Sequence, residues 1–412
     1  MKKLFELRVR RILHSAFILL PLFLVSCVTA AVPQKFSGAT PLEWSVRLAN
    51  SEMARQTNAP KWDYTMGLFT LSLLKLNEQV PDARFVKFSE DKVGSLVSPD
   101  GTIKGYKPEE FQLDALNPGK TLLALWLTVT NPDNPRLFYG CAKLMEQFKD
   151  QPRTPDGGFW HKQRYTNQMW LDGIYMAAPF YAAMGDYMME PQNAYDDVAK
   201  QIRLIDEHTY DSKTGLNYHG WDAAKIQPWA NPATGCSSNF WGRAEGWYAM
   251  ALVDVLDFMP TNHPARAQII ATLQKTAAGI LKWQDAKTGL WWQVLDQGDR
   301  KGNYLEATAS AMFVYALAKG VNHGYLSRDL IPAIEKGYAG IIENLIKSDA
   351  ENRWTLTQCC SVAGLGGSPS KGKYRSGSFD YYVGEPIVKN DLKGVGPFIL
   401  TGIELQKLSE TK

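Results

Sequence analysis

Two aspartates stand at the starts of strongly apolar segments that have the pattern of buried helices. Asp172 lies in the first turn of a segment that continues Ile-Tyr-Met-Ala-Ala-Pro-Phe-Tyr, and Asp114 opens the preceding apolar segment at an equivalent position. A carboxylate there can simply cap its helix, which stabilises the helix by about 0.5–2 kcal/mol. Two carboxylates that converge on an apolar site can instead raise the pKa of one of them, as an acid catalyst near neutral pH requires. The residues alone leave both interpretations open.

Other residues have the types that bind a sugar acid. Arg243 and Trp247 are four positions apart and share one helix face, where a guanidinium can meet a charge and an indole can support a ring. The alternative for Arg243 is an ion pair with a nearby acid. His161 and His219 follow glycine-containing turns at corresponding places in a repeat. Matched positions favour a shared site over two unrelated structural histidines.

The elements that must position these residues are helices. Strand-like alternation of β-branched residues is nearly absent, whereas apolar residues recur three and four positions apart in six segments. These segments are Trp62–Leu76, Lys120–Thr130, Trp170–Met184, Gly246–Met259, Ala309–Ala318 and Phe398–Leu408. They are apolar on most sides, which predicts buried helices.

An internal repeat organises the chain. Asp211-Ser-Lys-Thr-Gly215-Leu recurs as Asp285-Ala-Lys-Thr-Gly289-Leu, and Thr154–Trp160 is an earlier counterpart. Each turn is followed by an aromatic loop and then by a buried helix. The buried helices are expected at Trp62, Asp114, Trp170, Arg243, Glu306 and Val395, which makes six units.

Six helical hairpins bury their apolar faces by closing into a ring, so the predicted fold is all-α, an (α/α)6 barrel. The turns and aromatic loops precede the inner helices and would therefore surround one mouth. Aromatic rings around a concave mouth suit the apolar faces of a sugar, although they can also be ordinary core residues. The clustered tryptophans are Trp160, Trp170, Trp221, Trp241, Trp247, Trp291 and Trp292.

The N-terminus has the pattern of an export signal. Basic residues precede a short apolar run, Ala16–Val25, and Leu24-Val25-Ser26-Cys27 resembles a bacterial lipobox. We expect a signal peptide at 1–26, acylation of Cys27, a linker at 27–40 and a catalytic barrel at 41–412. The protein would then be an exported periplasmic or cell-envelope lipoprotein of a bacterium, in contact with the membrane only through its lipid. Ordinary cleavage near Ala30 and Ala31 is the alternative.

Charge and cysteine usage argue against other classes of protein. Of the 45 basic and 42 acidic residues, five basic and one acidic lie before residue 27, so 40 and 41 remain. This balance provides no basic surface for nucleic acid. The later cysteines, Cys141, Cys236, Cys359 and Cys360, lack metal-site spacing and are expected to be buried as small hydrophobes. No HExxH motif occurs among the six histidines, and no metal or other cofactor is predicted.

Several segments, in order along the chain, resemble glycoside hydrolase family 105, the unsaturated rhamnogalacturonyl hydrolases, which are close to the family 88 unsaturated glucuronyl hydrolases. These segments are Met169–Ala177, Trp241–Leu256, Ala309–Gly320, Val362–Gly367, Gly377–Tyr382 and Lys393–Pro397. The resemblance covers nearly all of the chain after the signal. It implies the (α/α)6 fold, in agreement with the repeat count.

The resemblance also implies roles for individual residues. Asp172 matches the general acid/base and Asp114 its acidic partner. The residues that match the lining of the sugar site are Tyr64, His161, Trp170, His219, Arg243 and Trp247. One departure is Glu245, which replaces an Asn often found in the family, and its added charge bears on substrate preference more than on chemistry.

The implied reaction acts on the double bond that a polysaccharide lyase leaves in a terminal uronate. Asp172 would protonate C4, and its carboxylate would accept a proton from the water that attacks C5, so that the resulting hemiketal opens and releases the remaining oligosaccharide. Pectin rhamnogalacturonan is the first expected source, with ulvan and other lyase products as alternatives. Two other hypotheses are a conventional hydrolase that uses Asp114 and Asp172 on a saturated sugar and a non-catalytic lipoprotein that captures oligosaccharides.

Overall fold

Thirteen α-helices account for most of the computed structural model, which describes residues 34–129, 135–351, 353–367 and 374–410. In chain order they are α1 (Pro41–Arg55), α2 (Tyr64–Gln79), α3 (Ala83–Lys92), α4 (Gly119–Val129), α5 (Arg136–Asp150), α6 (Leu171–Gly185), α7 (Pro191–Thr209), α8 (Gly242–Val255), α9 (Arg266–Lys282), α10 (Ala307–Asn322), α11 (Ile331–Gly340), α12 (Phe379–Val383) and α13 (Leu392–Glu410).

Six of these helices form an inner ring. Along the ring, α2, α4, α6, α8, α10 and α13 each pack against the next, and α13 packs against α2 to close it. All fourteen residues of α8 are buried, because small residues allow the backbones to approach closely. A Cβ at Gly246, for example, would lie 2.8 Å from the sulfur of Met312 on α10.

The outer helices are amphipathic and lie against the ring. Helices α3, α5, α7, α9 and α11 pack on the inner helices that precede them, and α1 packs on α13. The six hairpins confirm the predicted (α/α)6 barrel. Since each inner helix is separated from the next by one outer helix that returns the chain, all six begin at the same end, which we call the mouth.

The helix starts agree with the predicted ones except at two places. Asp114 does not open an inner helix; it lies in a 3₁₀ turn, Leu113–Leu116, and α4 begins only at Gly119. Pro118 explains the difference, because it has no N–H to donate to the carbonyl of Asp114 as an α-helix would require. That carbonyl instead accepts the N–H of Asn117 at 3.2 Å, which closes the 3₁₀ turn. The last inner helix begins slightly earlier than expected, at Leu392.

The repeated turns have the same internal structure in two units. Asp211 accepts hydrogen bonds from the backbone and hydroxyl of Thr214 at 2.9 and 2.7 Å, and Asp285 accepts the same bonds in its own unit at 2.7 and 2.6 Å. Gly215 and Gly289 close these turns with φ of 81° and 76°, values that favour glycine. The turns thus follow the outer helices α7 and α9 in the same way and lead the chain to the mouth.

The strands are short and lie between helices. Four antiparallel pairs occur in the described residues: β1 (Gln168–Trp170) with β4 (Gly220–Asp222), β2 (Tyr210–Asp211) with β3 (Leu216–Asn217), β5 (Ile346–Ser348) with β6 (Trp354–Leu356), and β7 (Cys359–Cys360) with β8 (Ile387–Val388). The β1–β4 pair matters for the site, because it joins two aromatic loops at the mouth.

The predicted signal peptide (1–26), Cys27 and the linker as far as residue 33 lie outside the described residues. The end of the predicted linker belongs to the barrel: Phe36 is buried, 4.9 Å from the ring of Tyr338. In the described part of the chain, none of the helices has the length and apolar character needed to cross a membrane. The four later cysteines are buried and unpaired, as expected for small hydrophobes.

Candidate active site

All of the predicted site residues except Trp247 lie at the mouth, where inner helices begin. Asp172 is the only residue of α6 that is not buried, and its side chain is 14% exposed. Tyr64 is the first residue of α2, and Arg243 is the second of α8. His161 and His219 occupy loops that lead to inner helices, and Trp170 ends β1 immediately before α6.

Asp172 faces His219. The Oδ2 atom of Asp172 lies 3.2 Å from Nε2 of His219, close enough for a hydrogen bond although the two atoms are not aligned for one. Catalytic hydrogen bonds are commonly poorly aligned before substrate binds. On its other side, Nδ1 of His219 lies 2.7 Å from the hydroxyl of Tyr382. No lysine or arginine of the described chain forms an ion pair with Asp172.

Asp114 has a different environment. Its carboxylate lies 3.3 Å from Nε2 of His161 and 2.5 Å from Nζ of Lys162. Burial alone would raise the pKa of Asp114, but the charge of Lys162 and the contact with His161 outweigh it and hold this pKa well below its usual range. Asp114 is therefore an ionised carboxylate with a fixed counter-ion.

The two acid–histidine pairs share one backbone arrangement. The N–H of the residue before each aspartate donates to the carbonyl of the facing histidine, at 3.1 Å for His161 and 3.0 Å for His219. In the next unit, the N–H before Arg243 donates to the carbonyl of Gln293 at 2.9 Å. The repeat thus places successive functional side chains at the same position of successive units.

Trp170 joins the two pairs. Its ring stacks on His161 at 4.6 Å and on Tyr165 at 4.6 Å, and it meets the ring of His219 edge-on at 5.4 Å. The β1–β4 pairing holds this arrangement, because Trp170 is the partner of Gly220, the residue after His219. The histidines that face the two acids are therefore part of one continuous aromatic cluster at the mouth.

Arg243 is buried and charged. Its Nη1 donates to the carbonyl of Cys360 at 2.5 Å, and its guanidinium lies over Trp241 at 4.5 Å from the ring centre. Burial disfavours the charge, but the pKa of Arg243 is nevertheless raised above its usual value by Cys360 and Glu306, so the charge persists. Nε of Arg243 has no hydrogen-bond partner within the part of the chain that the structure describes.

Tyr64 and a lysine add further polar groups to the mouth. The carbonyl of Tyr64 accepts a hydrogen bond from the side chain of Asn117 at 2.8 Å. Burial raises the pKa of the Tyr64 phenol well above its usual value, and nearby Asp114 adds to the shift, so the hydroxyl stays neutral. Lys393, at the start of α13, pairs with Asp391 at 2.8 Å.

Two residues of α8 lie away from this opening. Trp247 is 1% exposed and stacks on Tyr175 at 4.8 Å, so its contact with substrate stays a prediction. Glu245 is fully buried, and its Oε2 accepts the backbone N–H of Asn217 at 3.0 Å. Burial raises the pKa of Glu245 to about 8. The expected influence of Glu245 on substrate preference therefore has no support in the geometry, since its carboxyl group caps a strand in the wall.

Sequence reasoning missed two partners of the acids. Lys162 directly follows His161, a position that could have suggested it, whereas Tyr382 lies 163 residues from His219 and only folding brings the two together. In the described residues, no three His, Cys, Asp or Glu side chains group as metal ligands. The geometry provides two carboxylates in unlike environments beside aromatic rings, an arrangement suited to acid/base chemistry on a sugar.

Comparisons with known proteins agree with this description. The profile of Glycosyl Hydrolase Family 88 matches residues 43–409. Protein Atu3128 of Agrobacterium fabrum is 39% identical over 233 residues, which are 56% of this chain and 97% of that protein. The unsaturated rhamnogalacturonyl hydrolase YesR of Bacillus subtilis is 27% identical over 263 residues, 62% of this chain and 70% of that protein.

A solved structure extends the likeness to the whole barrel. A family 105 glycoside hydrolase of C. acetobutylicum ATCC 824 is 41% identical and superposes with a TM-score of 0.83, over 88% of this chain and 99% of that one. The resemblance read from the sequence is thereby confirmed. The chain is a glycoside hydrolase that belongs to glycosyl hydrolase family 88, alongside proteins of family 105.

Proposed function

We propose that this enzyme removes the terminal 4,5-unsaturated uronic acid from oligosaccharides made by a polysaccharide lyase. The observation that carries the proposal is the position of Asp172. It is the one residue of α6 that is not buried, and it lies at the mouth beside His219 and the aromatic cluster around Trp170. An acid at this position can reach a sugar that stacks on the aromatic side chains around Trp170. The names of relatives that act on unsaturated sugars support the same substrate class.

In the proposed reaction, the O–H bond of protonated Asp172 breaks and its proton goes to C4 of the double bond. Positive charge develops at C5, where the ring oxygen stabilises it. Water then bonds to C5 and gives a proton to the Asp172 carboxylate, which restores the acid. The hemiketal opens, the oligosaccharide leaves, and a keto acid remains. One carboxyl group performs both proton transfers, and no covalent sugar–enzyme bond forms.

Asp114 has a positioning role in this proposal. Its negative charge lies close to Lys162 and is largely offset by it, so Asp114 does little to keep Asp172 protonated through charge repulsion. Instead, the carboxylate fixes the side chain of Lys162 and that of His161, which stacks on Trp170. Both side chains can then donate hydrogen bonds to sugar hydroxyl or carboxylate groups.

The first proposed source of substrate is rhamnogalacturonan from pectin, which the name of the Bacillus subtilis relative supports. The proposed site of action is the bacterial cell envelope, with the chain exported by residues 1–26 and attached through acylated Cys27. Metabolic labelling with a radioactive fatty acid tests this location. Label in the natural protein and none in Cys27→Ala is the expected result, and label in neither contradicts it.

The test of function uses lyase-generated oligosaccharides from rhamnogalacturonan, ulvan and other uronate polymers, each with its saturated counterpart. The wild-type enzyme should remove the ultraviolet absorbance of the unsaturated ends and leave saturated ends intact. Asp172→Asn should lower kcat by at least about 100-fold, because the amide cannot deliver the proton. Asp186→Asn is the matched control, since Asp186 caps the other end of α6.

Two results would overturn the proposal. Full activity in a folded Asp172→Asn protein removes the catalytic assignment. Equal turnover of saturated and unsaturated substrates shows a conventional hydrolase instead, and the product then carries no keto acid.

A further inference from the structure

Tyr382 completes a chain of three side chains that ends at the acid. Its hydroxyl lies 2.7 Å from Nδ1 of His219, and Nε2 of His219 lies 3.2 Å from Oδ2 of Asp172. Tyr382 and His219 are both fully buried. The three groups come from α12, from the loop before β4 and from the first turn of α6, so the chain crosses three separate parts of the barrel.

We propose that Tyr382 is a positioning residue that fixes the tautomer of His219 and thereby directs the catalytic proton of Asp172 to Oδ1. The inference rests on the proposed function for its meaning in the reaction. The tautomer itself is a property of the protein alone and can be measured without substrate.

The donors and acceptors available to Tyr382 and His219 determine which of the two donates the hydrogen bond between them. A neutral imidazole carries one N–H, so Nδ1 either accepts from the tyrosine hydroxyl or donates to it. Among the described residues, the hydroxyl of Tyr382 has no partner other than His219. If Nδ1 carried the hydrogen, the buried phenol hydrogen would have no acceptor, which is costly. Tyr382 therefore donates to Nδ1, and the hydrogen of His219 is on Nε2.

This tautomer has a consequence for Asp172. The Nε2–H group faces Oδ2, which is buried and has no other partner in the described ranges of the chain. An oxygen that accepts this hydrogen bond is a poor position for the acidic proton, so the proton resides on Oδ1. Because Oδ2 is buried although the side chain is 14% exposed, the exposed part of the side chain lies away from His219, on the side open to substrate.

The surroundings keep Tyr382 neutral and in place. Burial raises the pKa of its phenol well above the usual value, and Tyr381, Asp172 and the Cys360 thiol add to the shift. These three groups and His219 are the titratable groups that face it. Gln293 donates to the carbonyl of Tyr382 at 3.0 Å, and the ring lies nearly parallel to Trp241 at 5.8 Å.

The other acid–histidine pair provides an internal contrast. Among the described residues, Nδ1 of His161 has no hydrogen-bond partner; it lies beside Gly173, where an added Cβ would be 2.9 Å away. Asp114 is instead fixed by Lys162. The hydroxyl therefore occurs only in the pair whose acid must carry a proton, as expected if its function is to control the tautomer.

The kinetic test is Tyr382→Phe, with Tyr338→Phe as control. Tyr338 is also fully buried, and its hydroxyl donates to the carbonyl of Pro41, at the seam between α1 and the ring. In Tyr382→Phe the Nδ1–H tautomer becomes accessible and captures the proton on Oδ2, so kcat should fall at least about tenfold with little change in KM. Loss of the donor to the carboxylate should also move the basic limb of the kcat profile to higher pH, by about half to one unit.

The spectroscopic test is nitrogen NMR of the protein labelled with ¹⁵N-histidine, with His219→Gln to assign the signals among the six histidines. In the wild type, His219 should show an unprotonated Nδ1 and a protonated Nε2, and Tyr382→Phe should mix the two tautomers. A protonated Nδ1 in the wild type overturns the inference. So does a loss of kcat in folded Tyr382→Phe with no movement of the pH profile, because a purely structural role predicts that result. If the wild type does not act on unsaturated sugars but the tautomer is as expected, only the proposed function fails.

Discussion

At the scale of residues, the two aspartates differ in the partners that surround them. Each faces a histidine through the same backbone arrangement, yet Asp114 contacts Lys162 at 2.5 Å whereas the histidine of Asp172 contacts Tyr382. A fixed cation stabilises a carboxylate, and its absence permits a neutral acid. Two related units of one repeat therefore give their acids unlike electrostatic surroundings.

Lys162→Met should leave the largely buried Asp114 with His161 as its remaining partner and without its lysine counter-ion. Since Lys162 and Asp114 are only 14% and 13% exposed, we expect the free energy of unfolding at neutral pH to fall by about 2–4 kcal/mol. The folded pKa of Asp114 is depressed, so the stabilisation is present above the unfolded pKa of about 3.9 and is lost as pH falls through the folded value. Urea titrations across this range should show the difference from wild type shrinking in acid.

The matched control is the double variant Asp114→Asn, Lys162→Met, which removes the charge of both partners. It should recover part of the stability lost in Lys162→Met, because no buried carboxylate is left without a counter-ion. A single variant as stable as the wild type at neutral pH contradicts the assignment of Lys162 as the counter-ion.

Site residues that lie in a short motif or in the repeat could be predicted from the sequence, whereas contacts between distant parts of the chain could not. Asp172 and Trp170 are in one short motif at a helix start, and His161 and His219 could be matched through the repeat. Tyr382 could not be connected to His219, because that contact depends on closure of the ring over 163 residues. The burial of Glu245 was also hidden, since an acid beside Arg243 in sequence points away from it on a helix.

At the scale of elements, two units are held together by close contact between their turn and a glycine of the next outer helix. The Asp211 turn packs against Gly279 of α9, and the Asp285 turn packs against Gly340 of α11. The sequence predicted the turns and six buried helices, because periodicity and repeats are local. It misplaced Asp114 by assigning it to a helix, although Pro118 has no N–H to bond to the Asp114 carbonyl as an α-helix would require.

Gly279→Ala should therefore destabilise the protein. In an ordinary helix interior alanine is about 0.8–1 kcal/mol more favourable than glycine, but here the new Cβ would lie 1.9 Å from the carbonyl oxygen of Gly215. We expect a net loss of about 1–3 kcal/mol in denaturant unfolding. Gly340→Ala tests the repeat, because its Cβ would lie 2.1 Å from the carbonyl oxygen of Thr288. An increase in Tm for either variant would show that the contact is not tight.

At the scale of the whole molecule, closure of the ring makes one site from distant parts of the chain. Helix α13 packs against α2, and the hydroxyl of Ser45 on α1 donates to the carbonyl of Ile399 on α13 at 3.0 Å. The six inner helices then begin at one mouth, where acids, cations and aromatic rings from different units meet. These groups lie far apart in the sequence, and the closed barrel brings them close together.

The charge of the whole molecule bears on how substrate arrives. Beyond residue 26 the chain has 40 basic and 41 acidic residues, so it generates little long-range attraction for an acidic oligosaccharide. Recognition must depend on short-range cations at the mouth, such as the partly exposed Lys162 and the buried Arg243, which salt screens weakly. We therefore expect kcat/KM to change less than about threefold between low and high sodium chloride, measured at constant pH. A steep fall of kcat/KM with salt would contradict this expectation, because it would show that long-range attraction by surface charges brings the substrate to the mouth.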